Sequence, residues 1–277
     1  MKLVIEKIGL QETKSSFHFF KLEVDAFKPF WHYHPELELT FIIKGQGTRF
    51  VGNSIMPFFE NDLVLLGANL PHNYTSLVQD TKQKYEAIVL QFPAAIFSSL
   101  KECDMLFPLY KEAERGIQFI TPDEETLRLL HGFEALHKVD QLAVLLQILH
   151  LLFKDTNRKH LSSKTYHNSI INLKGQSKIK STTSYILENL DKKLTVPQMA
   201  QRTNMVEQSF CRWFKSAVGH SFVTFLNLAR IEQACMYLST TDKYIQAIAF
   251  DCGFENLSHF NRTFKKIKGK SPREFRS

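Results

Sequence analysis

The pattern F-x-R-x-F-K-x-x-x-G occurs twice in this chain, as FCRWFKSAVG at 210–219 and as FNRTFKKIKG at 260–269. A ten-residue pattern repeated at an offset of 50 calls for two copies of one local structure. The likeness extends further. Met199-Ala200 matches Ile248-Ala249 at an offset of 49, and Phe225 matches Phe275 at an offset of 50. The one-residue slip falls between the elements of each copy, where a turn absorbs it. Phe210 and Phe214, like Phe260 and Phe264, are spaced i,i+4 and share one face of a helix. Ala200 and Ala249 are small, as the first helix requires where a second comes close. Asn204 and Gly253 suit a helix end that needs positive φ. Each copy therefore reads as helix–turn–helix.

The face opposite the phenylalanines is polar and free to meet a partner. In the first copy it carries Gln208, Ser209, Arg212 and Lys215. In the second it carries Asn256, Ser258, His259, Asn261, Arg262, Lys265 and Lys266. Gln and Asn can bond adenine edges, and Arg can fork onto guanine. Lys and Ser suit phosphates, which set affinity and register. Charge points the same way. Residues 1–155 hold 15 Lys+Arg against 20 Asp+Glu, whereas 156–277 hold 20 against 8. A net charge of +12 on the C-terminal part implies a polyanionic partner.

This tandem segment resembles the AraC/XylS family of bacterial transcription regulators. The resemblance covers residues 180–277 and is strongest over IQAIAFDCGFENLSHFNRTFKKIKGKSPREFR. It implies an all-α domain in which a long helix, here within FVTFLNLARIEQACMYL (222–238), joins two helix–turn–helix units. It also implies two recognition helices in successive major grooves of double-stranded DNA, with RNA polymerase as a further partner. The first unit departs from the family pattern. Val206-Glu207 stands where a Ser or Thr cap is usual, and Cys211 takes a position that can face DNA.

The length of 277 residues suggests two domains. Residues 1–95 read as short strands broken by Gly, Asn and Asp turns, hence an all-β barrel or sandwich. From residue 94 onward helical periodicity takes over. AAIFSSLKECDMLFPLYKEAERG forms helical turns with Pro108 as a breaker. A helix follows over 122–138, with Thr121 as N-cap and Pro122 at its first position. A second covers 140–154, its apolar stripe being Leu142, Leu145, Leu146, Leu149, Leu152 and Phe153. That stripe packs on its own domain, with a share left for a homodimer seam. Residues 156–177 are polar and aperiodic, a linker between a 1–155 domain and a 178–277 domain.

WHYHPELELTFIIKG places His32, His34 and Glu38 at one strand parity. With His72 they are similar to the H-x-H-x3-E-x6-G…H spacing of cupins, in which three His and one Glu hold a divalent metal inside the barrel. The second half of that pattern is degraded, with Gly67-Ala68-Asn69 before His72 and Ser76 where Asn is common. Many AraC-family regulators have a cupin-like sensor domain, often without metal. Three readings stand together: a small-molecule effector pocket of His32, His34, Glu36, Glu38, Arg49 and His72; a divalent-metal site of His32, His34, Glu38 and His72; and structural hydrogen bonds. The first is preferred and no cofactor is expected.

The expected fold is thus an N-terminal cupin-like barrel with a helical appendage, followed by a C-terminal tandem helix–turn–helix domain. The expected function is regulated DNA binding rather than catalysis. The alternatives are a metal-dependent cupin enzyme fused to a DNA-binding module, and a constitutive regulator whose barrel only dimerises. Cys103, Cys211, Cys235 and Cys252 form no C-x-x-C pair and read as ordinary thiols in a reducing compartment. MKLVIEKIGLQE lacks a signal-peptide core, and LAVLLQILHLLF is too short to cross a bilayer. A cytoplasmic protein without membrane association is expected.

Overall fold

The computed structural model describes residues 15–76, 84–164, 166 and 173–276. The N-terminal stretch read above for a leader, and residues 167–172 of the expected linker, lie outside them.

Among the described residues, the N-terminal part forms nine strands in two antiparallel sheets. They are β1 (His18–Val24), β2 (Leu37–Lys44), β3 (Gly47–Val51), β4 (Ser54–Phe58), β5 (Leu63–Leu66), β6 (His72–Thr75), β7 (Tyr85–Phe92), β8 (Ile117–Phe119) and β9 (Arg158–His160). The larger sheet has the order β1-β7-β2-β5-β8-β9, and the smaller one β4-β3-β6. β2 is buried on both faces from Leu37 to Ile42. Leu37, Leu39 and Phe41 join a core that includes Leu63, Leu65, Leu90 and Phe92. Glu38 and Thr40 have the opposite parity, and Glu38 lies among the histidines.

Three helices cover the first of these faces: α1 (Phe107–Ala113), α2 (Glu124–Gly132) and α3 (Lys138–Lys154). Leu109, Leu130, Leu145, Leu149 and Leu152 fill the same core. Pro108 opens α1 instead of breaking a helix, because its missing N–H falls in the turn where amides are unpaired anyway. α2 starts later than the sequence pattern suggests. Its cap is Asp123, not Thr121, and the Asp123 carboxylate accepts from the Glu125 amide at 2.8 Å. Pro122 is thereby left outside the helix.

The stretch expected to be a linker differs at both ends. Arg158–His160 is the edge strand β9, paired with β8, and α4 (Leu173–Glu188) begins before residue 178. Arg158, Lys159 and His160 are all polar and none is buried, so the strand carries no apolar alternation to detect.

The C-terminal part is helical: α5 (Val196–Arg202), α6 (Glu207–Val218), α7 (Phe222–Thr240), α8 (Ile245–Asp251), α9 (Leu257–Lys268) and α10 (Pro272–Arg276) follow α4. The two regions share a core. Trp31, Phe50 and Ile55 of the sheet region cluster with Leu187 of α4, Leu190 just beyond it, and Phe225 and Ala229 of α7. The Trp31 and Phe225 rings meet edge to face at 6.1 Å, and the His220 ring Nε2 lies 2.7 Å from the Asn53 carbonyl.

Candidate nucleic-acid interface and histidine cluster

The repeat folds as two equivalent units. In the first, α5 is closed at its start by a capping box between Thr195 and Gln198. The turn just after it holds Asn204, whose φ is 53°. In the second, the turn just after α8 holds Gly253, with φ 81°. Ala200 and Ala249 are buried, letting α6 and α9 approach. The four repeated phenylalanines, Phe210, Phe214, Phe260 and Phe264, are completely buried. Each contributes about 2–3 kcal/mol of burial. The repeated glycines are helix stops: Gly219 and Gly269 both take left-handed φ, 80° and 75°.

With one face of α6 and α9 fixed, the other is open. Gln208, Arg212 and Lys215 on α6 are exposed, as are Ser258, Asn261, Arg262, Lys265 and Lys266 on α9. Ser209 is half-buried. The side chains of Arg212, Asn261 and Arg262 make no hydrogen bond or ion pair within the described residues. Their donor groups are available to a partner. Cys211 is exposed beside Arg212, while Cys103, Cys235 and Cys252 are buried.

Two residues of the expected face have other work. Asn256 precedes α9 as its N-cap, its side-chain oxygen accepting from the His259 amide at 2.8 Å. The His259 ring rests against Phe254 at 5.5 Å. At the equivalent point of α6, Val206 is 72% exposed and provides no cap.

The frame between the units depends on charges that the repeat does not reveal. Arg230, buried on α7, donates to the carbonyls of Leu190 and Lys192 at 2.9 and 2.7 Å. Glu232, two residues further along α7, is also buried and accepts from Lys268 of α9 at 2.6 and 2.7 Å. The signal was present in the sequence: an Arg and a Glu interrupt the apolar run FVTFLNLARIEQACMYL. With 19 residues, α7 is about 28 Å long. That length is close to the ~34 Å recurrence of major grooves on one face of a duplex.

In the sheet region, four of the expected pocket residues converge. One donor atom each from His32, His34, Glu38 and His72 lies within 4.8 Å of all the others. A regular strand does not do this. β2 starts only at Leu37, after both histidines, and an isolated bridge between His32 and His72 closes the group. His34 Nε2 lies 3.0 Å from Glu38 Oε2, and His72 Nε2 lies 3.5 Å from Glu38 Oε1. Thr40 and Gln91 donate to the same carboxylate at 2.6 and 3.0 Å. Glu36 stands 3.4 Å from His34 Nδ1. Burial pulls the His34 pKa down, but Glu36 and Glu38 together carry it up to about 9. Burial drives His32 well below the ordinary histidine value.

Arg49 does not join this group. It is buried against Asp62, to which it donates, and it also donates to Gln118 at 3.3 Å. Its charge is already matched, so it is not a free anion ligand.

The donor set fits a divalent metal. His32 Nδ1 and His72 Nδ1 face the carbonyls of Phe30 and Leu70 at 2.7 and 2.8 Å. Those contacts place the proton on Nδ1 of the neutral ring and turn the Nε2 lone pair inward. The His72 Nε2 is buried and lacks a well-formed hydrogen bond. Donors around one tetrahedral ion at ~2.1 Å stand about 3.4 Å apart, so closure from separations within 4.8 Å requires each donor to shift by about 1 Å or less.

Comparison with known proteins matches residues 199–277 to a helix-turn-helix domain family. An uncharacterized HTH-type transcriptional regulator of Staphylococcus aureus is 30% identical over 139 residues, half of this chain. The matched stretch spans only 17% of that relative's length. The melibiose operon regulatory protein of Escherichia coli (strain K12) is 23% identical over 90% of this chain and 83% of its own. Among solved structures, the DNA-binding domain of AdpA in complex with a target DNA is 28% identical, covering 36% of this chain and 89% of that one, with a TM-score of 0.35. ToxT from Vibrio cholerae is 17% identical over 95% of this chain and 98% of its own, with a TM-score of 0.39. Among the described residues no helix is long and apolar enough to cross a membrane.

Proposed function

We infer, from the AraC-type helix-turn-helix domain carried at residues 199–277, that this protein is a sequence-specific DNA-binding transcription regulator. The observation that carries the reading is the pair Arg212 and Arg262. Each is exposed at the same position of a helix whose opposite face is locked by two buried phenylalanines. α6 and α9 enter successive major grooves on one side of the duplex, spaced by α7. Arg262 and Asn261 contact base edges from α9, and Arg212 and Gln208 do so from α6. Lys215, Lys265, Lys266 and Ser258 hold phosphates. Uncapped and flanked by Cys211, α6 contributes more grip than base reading.

The N-terminal part, residues 1–155, holds an effector and pairs two chains. Residues 178–277 bind DNA, and RNA polymerase is the partner that converts occupancy into transcription. Effector binding acts only through its different affinity for the DNA-competent and DNA-incompetent arrangements. Selection of bound duplexes from a random pool tests the reading. It is expected to enrich two short blocks one helical turn apart. A pool that stays random after repeated rounds would overturn it.

A further inference from the structure

We propose that His32, His34, Glu38 and His72 take a divalent transition-metal ion, and that the strands carrying them pass its presence to the joining helix α7. The first half rests on donor chemistry. Three imidazoles and one carboxylate converge within 4.8 Å. His32 and His72 are prepared in the same way, each with Nδ1 tied to the carbonyl two residues before it. Imidazole nitrogen favours zinc, copper, iron or nickel over magnesium, calcium and manganese, which suit oxygen ligands. The neighbouring Arg49 is consumed by Asp62 and Gln118, which removes the obvious anchor for an acidic organic effector.

The second half rests on strand parity. Neighbouring residues of three segments point to opposite sides. His32 faces the cluster, while Trp31 packs on Phe225 of α7. His72 faces the cluster, while Asn73 next to it accepts from the Phe30 amide. Arg49 faces Asp62, while the Phe50 ring lies tilted against Phe225 with centroids 5.7 Å apart. Drawing His32 and His72 onto an ion therefore moves the backbone that holds Trp31. Beside Phe50 lies a cavity of about 140 Å³ lined by Thr48, Leu190, Ala229 and Met236, which gives the joint room to repack. Packed interfaces answer such shifts by switching between arrangements rather than by bending.

The metal half is independent of the DNA reading; the transmission half rests on it. The chain has two tryptophans, so Trp213→Phe leaves Trp31 as the only one. The full-length W213F protein, stripped with chelator, is titrated with Zn²⁺ and with Ni²⁺, and heat and Trp31 emission are followed together. The expected result is one ion per chain for at least one of the metals, with a saturable change in Trp31 emission at the same stoichiometry. Glu38→Gln and His72→Gln keep side-chain volume and are expected to lose both signals by at least tenfold in affinity while melting as a folded protein in chelator. In the otherwise native chain, the same ion is expected to change affinity for the selected DNA by about fivefold or more. Absence of stoichiometric uptake overturns the site. Uptake that leaves Trp31 emission or DNA affinity unchanged overturns the transmission. Binding of DNA by the metal-free chain in either case leaves the regulator reading standing.

Discussion

Arg230 on the joining helix donates from Nε to the backbone carbonyl of Leu190 at 2.9 Å. Leu190 follows the last turn of α4, and the guanidinium Nη2 donates to the Lys192 carbonyl at 2.7 Å. The turn of the second unit presses on the same spot, because a Cβ at Gly253 would lie 2.1 Å from the Leu190 oxygen. One buried cation thus ties the segment before the first unit to the turn of the second.

Arg230→Met keeps the aliphatic stem but leaves two carbonyls unpaired. Chemical denaturation is expected to show a loss of roughly 2 kcal/mol. DNA titration is expected to show a larger loss on a two-block site than on a duplex carrying one block. Equal losses on both would mean that Arg230 supports the fold without setting the spacing.

Arg262→Ala and Lys265→Ala separate reading from grip. Removing Arg262 should weaken the selected site by about 1–3 kcal/mol and relax base preference in one block. Removing Lys265 should weaken all duplexes alike and lower the salt dependence of log K by about one. Gel-shift titrations at several salt concentrations distinguish the two patterns.

The cap asymmetry gives opposite predictions at equivalent positions. Asn256→Ala deletes the bond to the His259 amide and should cost about 1 kcal/mol. Val206→Ser supplies the missing cap of α6 and should stabilise by a similar amount. Thermal melting of the two variants reads both effects directly.

Burial raises the Glu232 pKa above its usual 4.5, against the pull of Lys268. A carboxyl with a raised folded pKa contributes its stability below the unfolded value and loses it as pH climbs through the folded one. Glu232→Gln cannot titrate. The stability of the native chain relative to E232Q is therefore expected to fall as pH rises from 4.5 and then to level off. Urea denaturation of the two proteins across that range measures the difference. A rising difference would show that the Lys268 pair outweighs burial.

The tandem units were legible because two constraints repeat within them. Phe at i,i+4 needs a core, and Gly219 and Gly269 need positive φ; both leave marks in one sequence. The convergence of His32, His34, Glu38 and His72 was also legible by spacing, although an isolated His32–His72 bridge ahead of β2 closes the group rather than one continuous strand. Arg49 was misjudged as a pocket group because its partners, Asp62 and Gln118, come from distant segments that only pairing between strands brings close. Asn256 was read as a base contact because a cap and a recognition residue share the same chemistry and differ only by one position along the helix. The shared core of Trp31, Phe50 and Phe225 has no local period at all, since its members come from opposite ends of the chain.

The central claim is that two helices read one face of a duplex one turn apart. Hydroxyl-radical footprinting of the full-length protein on its selected site tests it most directly. The account predicts two protected patches on the same face, with centres about 10 base pairs apart, and with Arg262→Ala weakening one patch more than the other. A single patch, or two patches on opposite faces, would contradict it.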